Sequence, residues 1–109
     1  SLFSVGMPGM ALGGVEGGPA VANAVRGFVR VAAGTHFPEH AHMGVEKVLV
    51  LQGSYTDPAR GRVFRPGDID VMDADTAHDY LVPADGPDLV MLSVTQVGLR
   101  IGPQTYLPR

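Results

Sequence analysis

Two of the chain's four histidines stand together as His40-Ala41-His42. On an extended strand, residues two apart project to the same side, so both imidazoles aim at one spot. Gly44 permits a turn just beyond them, and Glu46 opens a segment rich in Val and Leu that runs to Gln52. A carboxylate placed there faces back across the hairpin. A third imidazole, His78, follows the bend Asp75-Thr76-Ala77. Three neutral imidazoles and one carboxylate form a donor set of borderline hardness, which Zn, Fe(II), Mn(II), Ni(II), Co(II) and Cu(II) all accept. Held by all four groups in a tetrahedron, an ion is structural; with five or six positions it keeps room for water, substrate or dioxygen. His40, His42, Glu46 and His78 are therefore the expected ligands of one divalent metal ion.

The elements that must position these groups are short. Gly (15) and Pro (9) are frequent among the 109 residues, which suits many strands joined by tight turns. Strand patterns cover Val25 to Ala33, Glu46 to Gln52, Arg62–Phe64, Asp68–Met72, His78–Val82 and Leu89–Thr95. Between them lie the turn signals Asp57-Pro58, Arg65-Pro66-Gly67, Pro83 and Asp85-Gly86-Pro87. In the first strand Val25, Val29 and Val31 share one face, and Arg26, Phe28 and Arg30 the other. No run of ten or more residues carries an apolar stripe at helical spacing. The chain is thus expected to be all-β, a barrel or a sandwich. Residues 1–24, rich in Gly, read as an extended arm or short edge strands ahead of a barrel at 25–109.

Other residues are weighed against the same geometry. His36, four before His40, would share the ligand face on an unbroken strand, but Pro38 bends the segment, and an exposed loop histidine is expected. Tyr80, Tyr55, Phe64, Val82, Met43, Met72 and Met91 read as barrel core. Asp68, Asp70, Asp73, Asp75 and Asp79 lack the spacing of a calcium loop and read as a solvated strand face plus a turn. Asp79 points away from His78 and is a poor general base. Leu49 and Leu51 lie opposite Glu46, so the strand is apolar on both faces. Its outer face calls for a cover, the N-terminal arm, a second sheet layer or another subunit, and of these a homodimer is favoured.

Composition removes several function classes. Formal net charge is -3 with basic residues scattered singly, which gives no electrostatic case for nucleic acid or an anionic membrane surface. Cysteine is absent, so there is no disulfide framework, thiolate nucleophile or Cys-type zinc site. No apolar run reaches the ~20 residues that span a bilayer. A signal-peptide pattern is missing from the first residues, so a cytoplasmic protein is expected. Opening on Ser1 rather than Met fits a segment of a longer chain.

Gly34-x5-His40-x-His42-x3-Glu46-x6-Gly53 resembles the first cupin motif at every fixed position. Gly67-x5-Asp73-x-Asp75-x2-His78 resembles the second, with Asp73, Asp75 and Val82 where that motif has Pro, Gly and Asn. The resemblance implies a small single-domain cupin, a double-stranded β-helix or jelly-roll barrel. Within that superfamily, Leu49-Val50-Leu51-Gln52-Gly53-Ser54-Tyr55-Thr56-Asp57, with the lead-in Val29 to Gly34, is similar to the cupin domain of ChrR-type anti-sigma factors. That similarity implies a zinc-binding regulatory module attached to an anti-sigma domain that grips a sigma factor. The attached domain's own His/Cys zinc site has no counterpart in these residues. The competing expectations are a small metal-dependent enzyme, foremost a dioxygenase taking a small molecule into the barrel, and a packing module with a structural metal.

Overall fold

Short runs of β-branched and aromatic residues, cut by Gly, Pro and Asp turns, leave the backbone one economical way to satisfy its hydrogen bonds, which is to pair into sheets. The computed structural model describes residues 2–4, 10–14, 24–42, 44–96, 99–101 and 104–106, and every regular element among them is a β-strand. The strands are β1 (Leu2–Ser4), β2 (Met10–Gly14), β3 (Ala24–Val31), β4 (His36–His42), β5 (Glu46–Gln52) and β6 (Tyr55–Asp57). They continue with β7 (Arg62–Phe64), β8 (Ile69–Met72), β9 (Ala77–Leu81), β10 (Leu89–Gln96), β11 (Leu99–Ile101) and β12 (Gln104–Tyr106). Two six-stranded antiparallel sheets result, ordered β1-β2-β3-β10-β5-β8 and β12-β11-β4-β9-β6-β7. The chain is an all-β single domain, as its patterns predict. β1 and β2 extend the first sheet past β3; residues 5–9 and 15–23 of the predicted arm, and the Val25 side chain, lie outside what is described.

The core fills the space between the sheets. Val31, Val48, Val50, Met72, Leu89 and Met91 come from the first sheet, and Phe37, Tyr55, Phe64 and Tyr80 from the second. Phe37 and Tyr80 stack with ring centroids 4.7 Å apart. Tyr55, Phe64, Tyr80, Val82, Met72 and Met91 are in the core as expected, and Phe37 joins them; Met43 lies outside the described residues.

Two strands depart from simple alternation. In β4 the pairing with β9 shifts between Phe37 and His40, so that Pro38 and Glu39 stand opposite the single residue Asp79. This β-bulge inverts the phase of the strand. His36 consequently faces outward, where its Nε2 lies 2.6 Å from Asp79 Oδ2. It is exposed as expected, though on a strand and not in a loop. In β8 two apolar residues face outward, Ile69 at 61% and Val71 at 51% exposed, while Asp70, at 2%, shares the inner face with Met72. The expected solvated face at Asp70 is therefore wrong. Its carboxylate turns inward because two partners, Arg60 and Tyr55, are waiting there.

The outer face of the first sheet bears an apolar row, Phe28, Leu92, Leu49 and Ile69, aligned across β3, β10, β5 and β8.

Candidate metal centre

The period of two in β4 carries His40 and His42 inward together, and β5 starts with Glu46 on its buried face. His78 stands directly across from His40 in the β4–β9 register. The three histidines thus come from one sheet and the glutamate from the other. One ligand atom from each of His40, His42, Glu46 and His78 lies within 4.8 Å of the others. Imidazole centroids are 5.0 Å apart for His40 and His42, 4.4 Å for His40 and His78, and 5.0 Å for His42 and His78. None of the four residues is more than 9% exposed.

Each group is already fixed through its other polar atom. His40 Nδ1 lies 3.1 Å from the Pro38 carbonyl, which the bulge turns toward it. His42 Nδ1 lies 3.0 Å from both the carbonyl and the hydroxyl oxygen of Thr76. His78 Nδ1 lies 3.0 Å from Asp57 Oδ2. All three acceptors select the tautomer with the proton on Nδ1, leaving a lone pair on Nε2. Glu46 Oε2 accepts from Ser93 Oγ at 2.8 Å and Thr95 Oγ1 at 2.9 Å, which leaves Oε1 for the centre.

The inward atoms are correspondingly unsatisfied. His42 Nε2 and His78 Nε2 are buried without a hydrogen-bond partner. His42 Nε2 lies 3.1 Å from Glu46 Oε1 but outside hydrogen-bond alignment. Buried polar atoms left without partners are costly, and a cation at this point would satisfy both. The electrostatics suit one. Burial, reinforced by neighbouring His78, pushes the His40 pKa down to about 4, so the ring is neutral. Burial alone would raise the Glu46 pKa, but the polar groups around its carboxylate outweigh it and hold the group below its ordinary value. A buried His3Glu cluster of three imidazoles and one carboxylate fits a divalent ion of borderline hardness.

The expectations named these four residues but missed those behind them. Ser93 and Thr95 alternate on the inner face of an otherwise apolar strand, and Thr95 pairs with Glu46 across β10 and β5; two inward hydroxyls there are a readable signal. Asp57 is fully buried at the end of β6 and was legible only as a turn residue.

The family model for the ChrR cupin-like domain matches residues 10–97. The chain belongs to the ChrR cupin-like domain family. Across 91 residues, 84% of the chain, this ChrR-like cupin is 32% identical to the anti-sigma-E factor ChrR of Cereibacter sphaeroides, of which it spans 40%. It superposes on a chain of the crystal structure of Rhodobacter sphaeroides SigE in complex with the anti-sigma ChrR with a TM-score of 0.75 at 27% identity, covering 88% of this chain and 49% of that one. An RmlC-like cupin protein from Ralstonia eutropha gives a TM-score of 0.79 at 21% identity, covering 97% of this chain and 68% of that one. Acetylacetone dioxygenase from Acinetobacter johnsonii shares the fold at a TM-score of 0.73 and 13% identity, over 92% of this chain and 72% of that one.

Proposed function

We propose that this ChrR-like cupin is a metal-binding regulatory module that holds one divalent ion through His40, His42, Glu46 and His78. The observation that carries the reading is the presentation of four donors into one buried spot, each residue's second polar atom being already engaged. That arrangement leaves four single-atom ligands and little rotational freedom, which is what tight metal binding requires. Three donors come from one sheet and one from the other, so a bound ion would tie the two sheets together. Among the accepted metals we favour zinc, which takes four N and O ligands without a redox role.

The chain's own groups support binding over turnover. Burial first, and then the charge of Glu46, hold the Tyr80 phenol well above its ordinary pKa, so it keeps its proton. Asp79 is engaged with His36 on the outer face. By analogy with the anti-sigma relative, the domain would act in the cytoplasm on an attached anti-sigma domain or the sigma factor it grips. A homodimer across the Phe28–Leu92–Leu49–Ile69 row belongs to the same proposal and is read out by sedimentation.

The test is elemental analysis with X-ray absorption on untagged protein purified without chelators. One zinc per chain in a shell of three N and one O, lost in His78→Ala, supports the proposal. Protein that takes up no metal overturns it. Iron or manganese with exchangeable waters and oxygen uptake would replace it with the enzyme reading.

A further inference from the structure

His78 is anchored unlike its two companions. His40 meets the carbonyl of Pro38 in its own strand and His42 the oxygens of Thr76, whereas His78 meets a carboxylate with no exposed surface. Asp57 Oδ2 takes both His78 Nδ1 at 3.0 Å and Arg60 Nε at 2.7 Å, while Oδ1 accepts the Arg60 amide at 3.1 Å. The far edge of the same guanidinium forks onto Asp70, with both N–H···O contacts at 2.8 Å. An unbroken series of charge-assisted contacts therefore runs from an inward imidazole to an arginine whose side chain is 37% exposed. Two buried carboxylates share one guanidinium, and Asp57 Oδ2 also accepts from His78 Nδ1.

Resting on the metal-site reading above, we propose that Asp57 is the positioning residue of the metal centre and that Arg60 fixes it, linking metal occupancy to the surface turn 57–61. Asp57 holds the His78 ring at one angle with Nε2 inward, and the fork of Arg60 holds Asp57. Linkage is reciprocal: what strengthens metal binding by ordering the turn must let the metal order the turn.

The test uses Zn(II) and Co(II) as probes on wild type, Asp57→Asn, Arg60→Lys and the outward control Asp79→Asn. Asp57→Asn is expected to weaken metal binding about 10- to 100-fold and shift the visible Co(II) bands. Arg60→Lys keeps the charge but loses the fork, and is expected to act in the same direction less strongly. Metal loading should slow hydrogen exchange at the Arg60 amide in wild type and Asp79→Asn, and not in Asp57→Asn. Should Asp57→Asn fail to fold, Arg60→Lys alone decides. Wild-type affinity and persistent metal-dependent protection in the folded variants overturn the inference and leave the metal site standing. A wild-type protein that binds neither ion overturns the metal reading itself.

Discussion

Phe37 and His40 lie on the same face of β4, ring centroids 5.0 Å apart, although they stand at an odd offset of three along the chain. The bulge at Pro38 and Glu39 makes this possible by inserting one extra residue opposite Asp79. It also decides which histidines enter the site.

His36 is on the wrong side of that bulge to ligate. His36→Ala is expected to leave metal affinity within about twofold, since it removes only an exposed pair of the kind worth ~0–1 kcal/mol. His78→Ala should lower affinity by orders of magnitude. Equal losses on titration against a competing chelator would sink the ligand assignment.

Glu46 depends on two hydroxyls. Ser93→Ala and Thr95→Val each strip a donor from a buried carboxylate, a change that costs roughly 1–3 kcal/mol. Each variant is expected to unfold at lower urea and bind metal about tenfold more weakly. Normal affinity in both would show that Glu46 orients itself without them.

Acidification should destabilise the metal-free protein. The folded His40 pKa is down at about 4, against 6.5 for the free side chain, so between those values the unfolded chain binds a proton the folded one refuses. Stability then falls as pH drops from 6.5 toward 4, with a slope of at most about 1.4 kcal/mol per pH unit from this group. Urea melts at intervals across that range give the slope directly. A flat or rising profile contradicts a buried neutral His40.

Two backbone positions predict opposite outcomes. Gly53 has φ +74°, and a Cβ there would sit 2.7 Å from the Asp88 carbonyl oxygen. Gly53→Ala should cost more than about 1 kcal/mol. Asp75 has φ +64° at the motif position where a glycine is usual. Asp75→Gly should gain on the order of 0.5–1 kcal/mol, left-handed strain relieved less the added freedom of the unfolded chain. Calorimetry reads both, at ~4–8 °C per kcal/mol; a stabilised Gly53→Ala or a destabilised Asp75→Gly refutes the respective argument.

The convergence of His40 and His42 was legible because a strand's period of two is a local property, and the bounds of β5 were legible from its Val and Leu alternation between Glu46 and Gly53. The phase of β4 before His40 was not. Pro38 signals a break in pairing without saying which side of it faces inward. Asp57 stands 21 residues from His78, a distance over which pattern carries no information. Asp70 defeated the pattern outright, since an inward acid flanked by outward Ile69 and Val71 reverses the usual rule.

That reversal bears on how the chain reaches its structure. Sliding β8 by one residue along β5 would tuck Ile69 and Val71 inside and put Asp70 in water, at the expense of turning Met72 out. Only the native pairing, Val48 opposite Asp70, delivers the acid to Arg60 and Tyr55. The guanidinium thus acts as a proofreader of strand alignment, because its fork onto Asp70 forms only in the native register.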